Sequence, residues 1–384
     1  MSVWNDLVGQ EPVVAQLRKA VEDSASRETG RMTHAWLFTG PPGSGRSTAA
    51  RAFAAALQCH ETPRGCGHCA LCHQVLHGTH ADVRIVRPSG LSYGVRETRE
   101  LVLRSATTPT GGRWQIVLFE DADRVTEAGA NALLKAIEEP PPRTIWLLCA
   151  PSPDDLLVTI RSRCRMVTLR TPPAGAVADV LVRRDGIDED VALDAARAAQ
   201  GHIGRAKRLA TDPESRKRRN EVLAVPGRLT GVGPAVDAAE TLVKAAEADA
   251  KAITEELNEA ETAALRQALG ESAKGRMPRG TAGVLKELET RQKSRETRVK
   301  RDSLDQALLD LASYYRDVLT LQLGSGVQLV NADREPELRA AAGRMTPEAT
   351  LRRLDAIVGC RERVDANVNP LLAFEAMTLV LHGG

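Results

Sequence analysis

The chain has 384 residues, enough for two or three domains that each bury a core of their own. Its 52 basic and 50 acidic side chains nearly cancel, so any nucleic acid must be met by a local patch and not by a global field. No apolar run approaches the ~20 residues of a membrane helix, and Met1 to Asp6 lack the basic and apolar regions of a secretory leader, which predicts a reduced cytoplasm and no membrane.

In the first 170 residues, strand-like and helical segments alternate. Residues 34–39 read as a buried strand closed by Gly40-Pro41-Pro42-Gly43, and 47–58 follow as a helix with Phe53 and Leu57 at helical spacing. Residues 82–86, 115–119 and 144–149 are further strands, each beside a polar or Pro/Gly-rich break. Thr126 suits the N-cap of a helix running to Glu139, where Pro140-Pro141-Pro142 stops it. This alternation predicts an α/β module over 1–168, a parallel sheet with helices on both faces. Beyond it the pattern turns helical: a small three-helix unit over 169–212, then an all-α domain over 213–384. That domain carries a charged insert at about 245–302, broken by a Gly/Lys/Arg/Pro connector at 270–283.

Gly40-Pro41-Pro42-Gly43-Ser44-Gly45-Arg46-Ser47 lies between a predicted strand and a predicted helix, the setting of a phosphate-binding loop. Gly40, Gly43 and Gly45 supply the turn, the helix N-terminus its positive dipole end, and Ser47 a hydroxyl of the type that binds Mg²⁺. The usual lysine is replaced by Arg46, a bulkier planar cation that either attracts phosphate or fills the pocket. The strand at 115–119 ends in Glu120-Asp121, where a nucleotide hydrolase carries Asp then Glu for metal and water. Glu120 is one methylene too long for the first role and Asp121 one too short for the second. Ångström-scale errors of this kind cost orders of magnitude in rate. The plain alternative is a glycine turn beside acids that solvate a strand tip. Together the two departures predict a degenerate nucleotide site in which ATP or ADP with Mg²⁺ is doubtful.

Cys59, Cys66, Cys69 and Cys72, spaced C-x₆-C-x₂-C-x₂-C, can close a tetrahedral shell around structural Zn²⁺. His60, His68 and His73 stand close by, but four thiolates leave no position open. Between Arg291 and Arg301 six basic side chains face one acid, Glu296. An acidic stretch (Glu255, Glu256, Glu259, Glu261) lies across the connector, so an antiparallel helical pair would set the two against each other. No aromatic side chains interleave the basic ones, which favours a solvated helix over a nucleic-acid platform.

Trp4-Asn5-Asp6-Leu7-Val8-Gly9-Gln10-Glu11 and the strand leading into the glycine loop resemble the opening of the bacterial clamp-loader AAA+ subunits of DNA polymerase III. So do Asn131-Ala132-Leu133-Leu134-Lys135-Ala136-Ile137-Glu138-Glu139-Pro140-Pro141 and the Ser162-Arg163-Cys164 motif, in the family's order; Asn367-Val368-Asn369-Pro370-Leu371 resembles its closing part. The resemblance implies an AAA+ P-loop domain with a zinc knuckle at 59–72, a helical lid and a helical collar that mediates oligomerisation. It implies that Arg163 is an arginine finger reaching a neighbour's ATP. The implied partners are gamma/tau and delta subunits in a hetero-pentamer, a sliding clamp, and primed DNA through the assembled complex.

Within that family Arg46, the reversed acids, Cys149-Ala150-Pro151-Ser152 in place of a threonine sensor, and Arg205 one place beyond the second sensor position resemble the delta-prime type. An idle pocket beside an intact finger makes a stator. The rivals are an ATP-hydrolysing gamma/tau-like subunit and a zinc-dependent nucleic-acid-binding protein with an idle loop. Neither a polymerase nor an exonuclease site is legible, although the family belongs to a polymerase holoenzyme.

Overall fold

The computed structural model describes residues 2–24, 32–88, 92–268 and 282–383. They divide into two compact units, residues 1–210 and 211–384.

In the first unit α1 (Glu11–Asp23) precedes β1 (Ala35–Thr39), α2 (Arg46–Gln58), α3 (Ala70–Leu76), β2 (Val83–Val86), α4 (Val95–Ser105) and β3 (Gln115–Phe119). Then come α5 (Glu127–Glu138), β4 (Thr144–Ala150), α6 (Val158–Arg161) and β5 (Arg165–Thr168). The strands form one parallel sheet in the order β2-β3-β4-β1-β5. Alternation decides the layers. Trp36, Phe38, Ile116, Leu118, Ile145 and Leu147 point to the face covered by α1, α2 and α3, where Leu17, Phe53 and Leu57 meet them. Leu37, Val117, Phe119, Trp146 and Leu148 point to the opposite face, against Leu101, Leu133, Ile137 and Ile160 of α4, α5 and α6. With both faces buried, β1, β3 and β4 read as continuous apolar runs, as central parallel strands do.

The α/β expectation is met strand for strand, with one addition. β5 is an edge strand in which only Val167 is buried, so it carries almost no apolar signal. Thr126 does cap α5: its hydroxyl accepts from the Gly129 N–H at 3.2 Å.

After the sheet, α7 (Ala174–Asp185), α8 (Glu189–Ala198) and α9 (Ile203–Thr211) enclose a separate small core of Val177, Leu181, Ala192, Ala196, Ala206 and Leu209. Gly186, left-handed at φ 66°, ends α7, and the Asp188 carboxylate caps α8 by accepting from the Asp190 and Val191 N–H groups.

The second unit is helical: α10 (Pro213–Leu223), α11 (Val225–Arg228), α12 (Val232–Ala268), α13 (Ala282–Leu323), α14 (Glu335–Ala342), α15 (Pro347–Asp365) and α16 (Pro370–Gly383). Leu242, Leu308, Leu311, Tyr315, Ile357, Phe374 and Met377 form its core. The two long helices extend beyond that core as a hairpin, held where charge and amide groups meet across it. Arg295 pairs with Glu261 at 2.5 Å, Lys300 with Glu247 at 2.5 Å, and the Gln292 Nε2 donates to the Asn258 carbonyl at 2.9 Å. The opposition of basic and acidic stretches expected from the sequence is therefore present. The connector expected at 270–283 lies, as far as residue 281, outside the described residues, as does the Glu256 side chain. No helix among the described residues is long and apolar enough to cross a membrane.

Candidate functional site

The glycine loop leaves the C-terminal end of β1, the edge of a parallel sheet where ligands are usually met. Gly40 and Gly43 are required sterically as well as conformationally. A Cβ at Gly40 would stand 2.5 Å from the Leu169 carbonyl oxygen, and one at Gly43 2.7 Å from the His202 Cα. The loop is tied from outside: the Gln10 Nε2 donates to the Arg170 carbonyl at 2.6 Å and the Ser44 carbonyl at 3.3 Å, and the Gly40 N–H to the Pro151 carbonyl at 3.1 Å. Gly45, at φ 89°, starts α2. Arg46, the first residue of that helix, turns its guanidinium back onto the Gly40 carbonyl. The cation is engaged by the loop itself.

Beyond the loop, Glu120 at the end of β3 is 8% exposed. Its Oε1 accepts from Arg51 Nε at 3.1 Å and Nη2 at 2.5 Å, and its Oε2 accepts from Arg87 Nε at 2.5 Å. Both carboxylate oxygens are thus occupied by guanidinium groups. The Tyr93 hydroxyl donates to the Glu120 carbonyl at 2.6 Å and fixes the backbone there. Asp121 is left-handed at φ 54° and turns the chain sharply off the strand. Cys149 is fully buried, and burial, reinforced by the charges of Glu120 and Asp121, pushes its thiol up. Arg205 is buried and donates to the Ala198 carbonyl at 3.0 Å, within the helical subcore. His202, whose backbone seats Gly43, is held below the usual histidine range by desolvation and then by the guanidiniums of Arg205, Arg208 and Arg46. A Mg²⁺-nucleotide ready for hydrolysis needs a free carboxylate and a cation aimed at phosphate. Glu120 and Arg46 as arranged do not fit that requirement.

Arg163 lies just past α6, on the other side of the sheet from the glycine loop's helix α2. Its Nη1 donates to the Thr159 carbonyl at 2.8 Å and the Ser162 hydroxyl at 3.3 Å, and its Nη2 pairs with Glu138 at 2.6 Å; the side chain is 40% exposed.

The four cysteines do converge. Their sulfurs lie within 4.8 Å of one another, with Cys59–Cys66, Cys59–Cys69 and Cys66–Cys72 at 3.8, 3.9 and 4.0 Å. A tetrahedral zinc with Zn–S of ~2.3 Å spaces its sulfurs by roughly 3.8 Å, so the set can hold the ion. The Cys69 N–H donates to Cys66 Sγ and the Cys72 N–H to Cys69 Sγ, both at 3.4 Å. Burial opposes ionisation of Cys66, but backbone donors from His68 and Cys69 bring its thiol down to about 6. His68 instead places Nδ1 on the Cys66 carbonyl, and His73 stacks with His77.

Arg51, Arg87 and Glu138 escaped the sequence reasoning. Arg51 had a signal, being the one charged residue between Ser47 and Gln58 of an alanine-rich helix whose other residues from Ala49 onward are buried. Arg87 had none, since a charge after a strand is ordinary, and Glu138 stood only within the 131–141 motif, with no role of its own.

Residues 10–173 match the family model described as DNA polymerase III, delta subunit, and residues 298–382 the model for its C terminal. The gamma/tau subunit of Mycobacterium tuberculosis is 35% identical over 194 residues, 49% of this chain and 32% of that one. The Escherichia coli delta' subunit is 36% identical over 190 residues, 48% of this chain and 57% of that one. The chain thus spans about a third of the first and under two thirds of the second. Among solved structures, a gamma subunit-related protein of Thermotoga maritima aligns over 96% of this chain and 98% of its own at 15% identity, with a TM-score of 0.44. The chain belongs to the clamp-loader subunit family of DNA polymerase III.

Proposed function

We propose that the chain is a delta-prime-type stator of the clamp loader. It lends Arg163 to the ATP site of a neighbouring subunit while its own glycine loop stays idle. The observation that carries this reading is the double engagement of Glu120 by Arg51 and Arg87, with Arg46 folded onto Gly40. A carboxylate that already accepts three hydrogen bonds from two guanidinium groups offers Mg²⁺ little, and the two positive charges beside it oppose the ion. By contrast Arg163 stands part-exposed, held by acceptors and not sealed in a core. An arginine supplied in trans stabilises phosphoryl-transfer charge by ~10³-fold or more.

In the same reading Cys59, Cys66, Cys69 and Cys72 hold a structural zinc, and 169–212 and 213–384 act as lid and collar. The exposed apolar residues Leu372, Leu379 and Val380 of α16 suit a collar that meets other collars. The partners are gamma/tau and delta subunits in a hetero-pentamer that opens a sliding clamp for primed DNA, in the cytoplasm.

The 35% identity to gamma/tau subunits favours one alternative, a subunit that hydrolyses ATP itself. Titration of the isolated chain with a fluorescent ATP analogue and Mg²⁺ separates the two. The stator shows no saturable binding at micromolar analogue; tight Mg²⁺-dependent binding followed by turnover establishes the hydrolase.

A further inference from the structure

Glu138 stands where a helix least favours it. It is the last residue of α5, where the dipole end is negative and an acid is destabilising unless a cation offsets it. The cation is Arg163, 2.6 Å away. The two come from neighbouring elements of the same core cluster, with Leu133 and Ile137 anchoring α5 and Ile160 anchoring α6.

A single buried side chain, Ile160, holds α6 to the core. The helix has four residues, too few to be stable by itself, and beside it a partly open pocket of about 150 Å³ is lined by Leu133, Leu148, Leu156 and Ile160 together with Glu127 and Asp155. Thr159 and Ser162, the other acceptors of the guanidinium, belong to that same short segment, so they orient Arg163 only relative to α6. Glu138 is the acceptor from outside the segment, and it refers the guanidinium to α5, which Leu133 and Ile137 fix in the core.

The geometry points to Glu138 as the positioning residue of Arg163: it holds the guanidinium in the direction from which a neighbouring nucleotide is met. This rests on the stator reading. The pair is 40% and 44% exposed, so its contribution to folding is small and its effect is on orientation. An unanchored arginine regains rotamer freedom, and the productive fraction of conformers falls.

The test is ATP hydrolysis by the full complex reconstituted with gamma/tau- and delta-type partners and carrying Arg163→Ala, Glu138→Ala or Glu138→Gln in this chain. Arg163→Ala removes most of the stimulation. Glu138→Ala lowers kcat by about fivefold with KM for ATP unchanged, the size expected from losing an ion pair of this class. Glu138→Gln, which keeps an acceptor oxygen, recovers most of the loss and guards against misfolding of the alanine variant. A Glu138→Ala complex as fast as wild type or faster, while Arg163→Ala is slow, overturns the positioning role and leaves the stator standing. A rise in KM or poor assembly without a kcat effect also overturns it. Full activity of Arg163→Ala overturns both.

Discussion

Arg51 of α2 donates through two nitrogens to one oxygen of Glu120, the acid that closes β3. The helix after the glycine loop and the strand tip beside it are thereby joined by charge, at the place where a hydrolase of this architecture would put a metal ion. Arg87 takes the second oxygen, so two guanidinium groups supply the positive charge that Mg²⁺ would otherwise bring.

Arg51→Met therefore destabilises the protein and does not open the site. Glu120 is left largely buried with only the more exposed Arg87 as a partner, and breaking such a pair costs about 2–3 kcal/mol. Urea unfolding measures it. A loss below ~0.5 kcal/mol means that the carboxylate is not held as described.

On the proposed reading, the 59–72 segment needs its zinc to fold. Val3 and the Ser2 hydroxyl both donate to the Gly65 carbonyl, and Trp4 is buried beside it, so the knuckle also anchors the N-terminal segment. Metal analysis finds one zinc per chain, and Cys72→Ser abolishes it. The variant melts about 5 °C or more below wild type. Full stability without metal contradicts the assignment.

Asp82 gathers the loop at 110–112. Its carboxylate accepts from the Thr110 N–H and hydroxyl and from the Gly111 and Gly112 N–H groups. Burial works against ionisation, but these donors prevail and hold the group at about 2. Because this lies below the unfolded value, the stabilisation is complete above about pH 4 and is lost as pH falls from there through 2. Asp82→Asn removes about 2 kcal/mol at pH 7 and flattens the stability curve over that window. An unchanged curve refutes the role.

In the helical unit, Asp317 is fully buried and accepts from the Val330 N–H at 3.0 Å, the Asn331 N–H at 2.7 Å and the Asn331 Nδ2 at 2.8 Å. Arg219 in turn donates to the Asn331 Oδ1. Asp317→Ala strands those buried donors, for a cost of about 3 kcal/mol and faster proteolysis between 324 and 331. Equal cleavage rates in variant and wild type count against the anchor.

The sheet was legible because β1, β3 and β4 are buried throughout, mostly apolar and closed by Gly, Pro or an acid, whereas β5, exposed at the edge, was not. The cysteine knuckle was legible because ligand spacing is local. The departures at the glycine loop were legible in residue identity, through Arg46 and the order of Glu120 and Asp121, but the contacts these side chains make were not. Arg51 and Arg87 reach Glu120 across 69 and 33 residues of sequence, and only folding makes them neighbours. The same holds for Glu138 and Arg163, 25 positions apart on elements joined through a shared core.

The central claim concerns where the guanidinium acts. Steady-state ATP hydrolysis by the DNA- and clamp-stimulated complex, compared between wild type and Arg163→Ala in this chain alone, addresses it directly. The account predicts at least a tenfold fall in kcat, about 1.4 kcal/mol or more of lost transition-state stabilisation, with assembly intact. Equal rates from the two complexes would contradict it.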